Sequence, residues 1–318
     1  MSPSDEPSRV ENTRHIQIGV VIVAFSSSQM LLDCVSGVLL DPTVESVVVV
    51  DNSSDAESKV LVQRMTEQDS RLLYVDPGAN LGFAKACNEG VTLLKPSTHV
   101  FFVNPDVALS RPLSPLVEHL EASNQAIVAG RLVSPGHLAS VNARPIVSMW
   151  LEAKKAFIGT RAYRQALPGG AETDADHPLL VGQVDGALLG MSVETYAVLD
   201  GFDPQFELYF EDVDICARAA ALGGCLFVPM QWGVHVGGAS SSTVSEMAYC
   251  VGAISRVRYI RKRFGRSVVT STFVLFVALV EFVTRTVTRQ AEGTSARAKS
   301  VRLQTMELLR PGTVVLLK

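Results

Sequence analysis

Several protein classes are argued against by what this 318-residue chain lacks. Its five cysteines (Cys34, Cys87, Cys216, Cys225 and Cys250) are odd in number, with no C-x-x-C pair and no zinc-type spacing. That pattern speaks against a disulfide framework or a structural zinc site, and it predicts buried thiols in a reducing compartment. There is no surplus of basic residues: the net charge is −4, which gives no general reason to expect nucleic acid. No G-x-G-x-x-G or G-x-x-x-x-G-K-[ST] stretch occurs, so the dinucleotide fingerprint and the P-loop are both missing. The first residues, MSPSDEPSRVENTRH, have neither the basic n-region nor the apolar h-region of a secretory signal. Residues 1–15 are expected to be a disordered lead-in, and the protein is expected to stay in the cytoplasm or on the inner face of the membrane.

What is present is the composition of a globular protein, with 47% hydrophobic and 19% charged residues. Three nearly continuous apolar runs, IQIGVVIVAF (16–25), VESVVVVDNSS (44–54) and THVFFVNPD (98–106), suit strands buried on both faces of a parallel sheet. Helix-compatible spacing lies between them, at 28–40, 56–68 and 82–94, with a short strand at 71–75. Strands alternating with helices predict an α/β fold around a mostly parallel sheet. Ligands of such sheets gather at the carboxyl ends of the strands, where Asp51 and Asp106 stand. Residues 136–182, with Pro168, Gly169, Gly170 and Pro178, read as an irregular insertion. Order is expected to resume with a helix inside 206–224, ended by Gly223-Gly224, and a strand at 225–230.

The C-terminal part differs in character. Arg256, Arg258, Arg261, Lys262, Arg263 and Arg266 form a basic run without acids. The largely apolar stretch Val268 to Val283 follows, short for a spanning helix and carrying Glu281. A basic approach to such a helix fits a segment lying in an anionic membrane interface; the alternative is a packing or dimerisation helix.

Acids recur at predicted strand ends and helix starts: Asp51, Asp106, Asp185, and the group Glu211, Asp212 and Asp214. One such aspartate ordinarily forms a turn or caps a helix. Several on one rim would repel unless a cation or substrate compensated them, and oxygen ligands of this type suit Mg²⁺ or Mn²⁺ with phosphate. In GANLGFAKACNEG (78–90), Asn80 and Asn88 could read polar groups of a ligand or serve as caps and turn formers. His235 precedes a small-residue loop, GGASSS, able to approach phosphate, and its imidazole could complete the coordination of a metal held by Asp106.

Taken in order, VVDNSS, GANLGFAKACNEG, FFVNPDV, the long block VDGALLG to FEDVDICARAAALGG, and HVGGASS closely resemble family 2 glycosyltransferases of the GT-A fold, most of all bacterial rhamnosyltransferases. The resemblance covers about residues 16–245. It implies a nucleotide-diphospho-sugar transferase domain over 16–250 and a helical, membrane-associated extension over 251–318. It implies that Asp51, Asn80, Gly82, Asn88, Asn104 and Asp106 bind the sugar nucleotide. Asp106, in the place of the second acid of a D-x-D motif, would bind Mg²⁺ or Mn²⁺ together with His235. Asn104 stands where the first acid would be, a departure from the strict motif. Asp212 would be the catalytic base, with Glu211 the less favoured candidate, and Asp185, Gly186 and Ala187 would shape the substrate pocket. The implied reaction is inverting transfer of a sugar, L-rhamnose from dTDP-rhamnose, to a hydroxyl of a polyprenyl-diphosphate-linked or cell-surface saccharide. A UDP-hexose is the alternative donor, and a non-catalytic sugar-nucleotide-binding assembly protein is the alternative from another class. A nucleotidyltransferase is disfavoured because VAFSSSQ stands where its glycine-rich signature belongs.

Overall fold

The apolar runs lie side by side in one sheet of a computed structural model, which describes residues 15–135, 142–158, 177–236, 245–287 and 294–312. Its strands are β1 (Ile18–Ala24), β2 (Val44–Asp51), β3 (Leu72–Val75), β4 (His99–Val103), β5 (Val107–Leu109), β6 (Ile127–Val133), β7 (Ala143–Arg144), β8 (Leu179–Val181), β9 (Gln183–Val184), β10 (Leu188–Ser192) and β11 (Cys225–His235). Its helices are α1 (Ser28–Leu39), α2 (Ala56–Thr66), α3 (Phe83–Thr92), α4 (Ser114–Glu121), α5 (Met149–Ile158), α6 (Val193–Val198), α7 (Glu211–Ala219), α8 (Ser245–Phe264), α9 (Val268–Val287) and α10 (Thr294–Leu309).

The main sheet has the order β3-β2-β1-β4-β10-β6-β11-β5, with β8 pairing to β11 off this path. The first four strands are parallel, as is β11 to β6, whereas β10, β5 and β8 run against their neighbours. Every residue of β1 and β4 is buried, which explains their unbroken apolar sequences. Alternation along β1 divides the core. Ile18, Val20 and Ile22 join Leu31, Val35 and Leu116 of α1 and α4, while Val21 and Val23 join Ala84, Cys87 and Ile215 of α3 and α7. Helices therefore cover both faces of a mostly parallel sheet, as expected. All five cysteines are buried and none is in a disulfide.

Two expectations need correction. The insertion over 136–182 holds a ten-residue helix, α5, whose Glu152 and Ala156 turn inward. Its Pro168 and Gly169-Gly170 lie outside the described residues, as do residues 1–14 of the lead-in and the small-residue loop 237–244. The basic run, in turn, is largely consumed within the fold. Buried Arg256 meets Glu281 at 2.9 Å, Glu152 at 3.4 Å and Gln304 at 3.2 Å. Arg258 bonds Glu307 (3.2 Å) and the Gln205 carbonyl (2.6 Å), Arg261 bonds the Leu308 carbonyl (2.8 Å), and Lys262 reaches Asp203 and Asp214. Cations spaced along α8 are thus clamps for α5, α9, α10 and the main domain. The expected boundary at 250/251 falls inside α8. Among the described residues no helix is long and apolar enough to cross a membrane.

Gly190 of β10 lies opposite Phe101 of β4, and a Cβ there would fall inside the contact distance of the Phe101 ring. Gly190→Ala is expected to destabilise the protein by about 1–3 kcal/mol through overpacking, read as a lower urea midpoint at unchanged slope.

Candidate active site

β4 ends in a turn. The Asn104 carbonyl accepts from the Val107 N–H at 3.1 Å, closing Asn104-Pro105-Asp106 at the carboxyl end of the strand. β5 then pairs antiparallel with β11 in a register that sets Val107 opposite His235. The same pairing brings His235 Nε2 to 3.2 Å from Asp106 Oδ1. Both line a cavity of about 310 Å³ with Asn52, Asn80, Gly82, Asn104 and Glu207. Gly82 has φ 77°, and a Cβ would run into the Glu207 carbonyl, so a side chain is excluded on two counts. The Asn80 carboxamide oxygen accepts from the Gly82 N–H at 2.9 Å, and the Phe83 N–H donates to the Glu207 carbonyl at 2.7 Å. Asn52 braces the same loop, donating to the Gly82 carbonyl (3.1 Å) and accepting from the Leu81 N–H (3.2 Å).

One carboxylate and one imidazole make an open donor set. Among the described residues no group of three or more His, Cys, Asp or Glu could hold a metal ion. Asp106 and His235 nonetheless fit a Mg²⁺- or Mn²⁺-type cation that completes its shell with water and substrate phosphate, which is how such ions commonly bind.

Asp212 stands in a second cavity of about 440 Å³, whose walls include Arg144, Glu152, Lys155, Gln183 and Glu281. Tyr209 and Ala248 line both cavities. Asp212 is oriented by two backbone donors, Val213 N–H to Oδ1 at 2.8 Å and Gly186 N–H to Oδ2 at 3.2 Å. The loop 185–187 joins the two cavities: the Ala187 carbonyl accepts from the Asn104 N–H at 3.0 Å, and Asp185 is ion-paired with Arg144. Before α7, Tyr209 and Phe210 both have left-handed φ, 64° and 69°. Two successive non-glycine residues in that region cost free energy, and such strain concentrates at functional sites.

The expected convergence of acids on one rim is therefore corrected: Asp106 and Asp212 face adjoining cavities with Tyr209 and Ala248 as a common wall. Asp51 lines neither. It is fully buried and accepts from the Ser53 N–H (2.9 Å), the Ser53 hydroxyl (2.6 Å) and the Tyr74 hydroxyl (2.7 Å). Those donors turn its carboxylate away, and Asn52 reaches the cavity instead. Asn88 is also structural, accepting from the Tyr196 hydroxyl (2.6 Å) and the Phe202 N–H (2.9 Å) and donating to the Phe202 carbonyl (2.8 Å). Sequence reading missed Asn52, Arg144 and Tyr209. Asn52 adjoins a singled-out aspartate, but Arg144 sits in the irregular insertion and offers no local signal.

Residues 19–174 match the family model described as glycosyl transferase family 2. A curated relative, the low-salt glycan biosynthesis hexosyltransferase Agl10 of Haloferax volcanii, is 24% identical over 220 residues, covering 68% of this chain. The chain spans 65% of that relative's length. Among solved structures, the mannosyltransferase PcManGT of Pyrobaculum calidifontis, in complex with GDP-Man and Mn²⁺, is similar with a TM-score of 0.57. That likeness covers 94% of this chain and 89% of the other at 13% identity. GalNAc-T7, with UDP, GalNAc and Mn²⁺, gives a TM-score of 0.54 over 69% of this chain and 43% of the other at 15% identity. These likenesses show a GT-A fold.

Glu211, beside Asp212, is buried, and its Oε2 finds no hydrogen-bond partner among the described residues. Burial first, and the Asp212 charge second, push its carboxyl well above the usual range. At low pH both folded and unfolded states hold the proton. As pH rises, the unfolded chain releases it first, so stability falls until the folded carboxyl also ionises. Glu211→Gln removes that loss. Its stability advantage over wild type is expected to be smallest near pH 4 and to grow as pH rises to 7, checked by urea unfolding at both values.

Proposed function

The chain belongs to glycosyltransferase family 2, and from that premise we propose that it transfers a sugar from a nucleoside diphosphate to an acceptor hydroxyl with inversion at the anomeric carbon. The observation that carries the proposal is the Asp106–His235 pair at a strand end, tied through the 185–187 loop to Asp212. The first cavity takes the donor, and the second takes the acceptor. A divalent cation on Asp106 and His235 would supply neutralisation of the charge that develops on the departing diphosphate. Asp212, fixed by the Gly186 and Val213 N–H groups, takes the acceptor proton as the new bond forms, which is general base catalysis. The charged and polar wall of its cavity (Arg144, Glu152, Lys155, Gln183) suits the hydroxyls of a saccharide. Transfer occurs at the seam bounded by Tyr209 and Ala248, where donor and acceptor cavities adjoin.

The donor we favour is dTDP-L-rhamnose, on the motif resemblance. A hexose donor such as a UDP-hexose is the second reading, favoured by the hexosyltransferase name of the curated relative. The acceptor in this reading is a lipid-linked or cell-surface saccharide, and the enzyme works as a peripheral protein on the inner face of the membrane.

Asp212→Asn is expected to lower turnover by about 10²–10⁴-fold while nucleotide-sugar affinity in Mn²⁺ stays unchanged; turnover at the wild-type level would remove Asp212 from the role of base. Asp106→Ala is expected to abolish Mn²⁺-dependent donor binding in calorimetric titrations. A panel of nucleotide sugars with Mg²⁺ or Mn²⁺, followed by slow donor hydrolysis, separates the rhamnose and hexose readings. No response to any sugar nucleotide would overturn the transferase proposal itself.

A further inference from the structure

We infer that α5 and α9 together form a docking face for an anionic lipid bilayer, with Trp150, Phe157, Phe276 and Leu279 entering the interface. The inference deepens the peripheral attachment proposed above and rests on that reading, but it is built from a separate surface. α9 has two apolar faces. Val274, Val277 and Ala278 are buried with Glu281, whereas Val268, Val269, Leu275, Phe276, Leu279 and Val283 are exposed on the opposite side. Their spacing makes one stripe along more than four helical turns. From Ser267 to Val280 the helix carries no charged residue. On α5, Trp150 (73% exposed), Lys154 and Phe157 (59% exposed) follow i, i+4, i+7 spacing and share a face. The Phe157 and Phe276 rings lie 6.1 Å apart, which joins the two helices into one apolar patch.

Charge selects the occupant. The acids of the two helices among the described side chains, Glu152 and Glu281, are both buried against Arg256. The outward face therefore presents apolar groups and cations: Lys154 stands between two aromatic residues, and exposed Arg263 and Arg266 precede the stripe. Amphipathic aromatic residues with flanking cations are the composition of helices that lie in an anionic interface. A second copy of the chain fits less well, because a two-fold contact would set the same cationic, acid-free face against itself. The two helices also supply Glu152, Lys155 and Glu281 to the Asp212 cavity, so docking would bring that cavity beside the bilayer.

The test is sedimentation of the full chain with phosphatidylcholine vesicles, with and without phosphatidylglycerol, combined with tryptophan emission. The chain has two tryptophans; Trp232 is 1% exposed, so a blue shift on vesicle addition reports Trp150. We expect binding to the anionic vesicles with a blue shift, and a loss of about tenfold or more in partitioning for Leu279→Glu with its Mn²⁺-dependent donor hydrolysis unchanged. Absence of binding, or wild-type binding by Leu279→Glu, overturns the inference. So does a shift from dimer to monomer in light scattering without change in vesicle binding, which assigns the face to self-association. Donor hydrolysis without vesicle binding removes the docking face alone; vesicle binding without hydrolysis of any sugar nucleotide removes the transferase reading and leaves the face in place.

Discussion

Two hydrogen bonds from one short loop hold the candidate site together. The Ala187 carbonyl takes the Asn104 N–H at the end of β4, and the Gly186 N–H goes to Asp212 at the start of α7. Asn104 and Asp212 are far apart in the chain, and the loop between them owes its position to β10. That strand runs antiparallel into a parallel sheet, between β4 and β6, and its entry delivers residues 185–187 to the strand ends. The two adjoining cavities are thereby set at a fixed spacing by backbone groups, which are less adaptable than side chains. The Val107–His235 register does the same for the Asp106–His235 pair.

Local rules are broken around this loop. Tyr209 and Phe210 adopt left-handed backbone, and Glu211 is buried with one carboxylate oxygen unsatisfied among the described residues. Each feature opposes stability, and they fall on three consecutive residues, of which Tyr209 lines both cavities and Phe210 the second. Propensity and burial are both contradicted here within three residues, and such contradictions cluster where a protein acts. The buried Glu211 also raises the cost of charge beside Asp212, so two adjacent carboxyls meet different environments.

The C-terminal helices are joined to this wall by buried charge. Removing one partner from the Arg256, Glu281, Glu152 and Gln304 cluster would strand the others without water. Orientation of α5 and α9 follows from that constraint. Their acids must turn inward to meet Arg256, which leaves the outward faces apolar and cationic. One interaction therefore both anchors the helices and shapes the surface they show.

Periodicity and residue type were enough to determine the α/β class, the buried parallel strands and the burial of the thiols, and to single out Asp106, His235 and Asp212 as candidates, because strand burial and strand-end chemistry leave local patterns. Three things had no local trace. The inward turn of Asp51 depends on Tyr74, a residue of the neighbouring strand. The separation of Asp106 from Asp212 into adjoining cavities depends on Tyr209 and on α8, which packs over both. The use of the basic run as internal clamps depends on acids from α5, α9 and α10. In each case the partner is remote in sequence. Pairing across space decides which of several chemically suitable groups faces a ligand, and only the tertiary structure supplies that pairing.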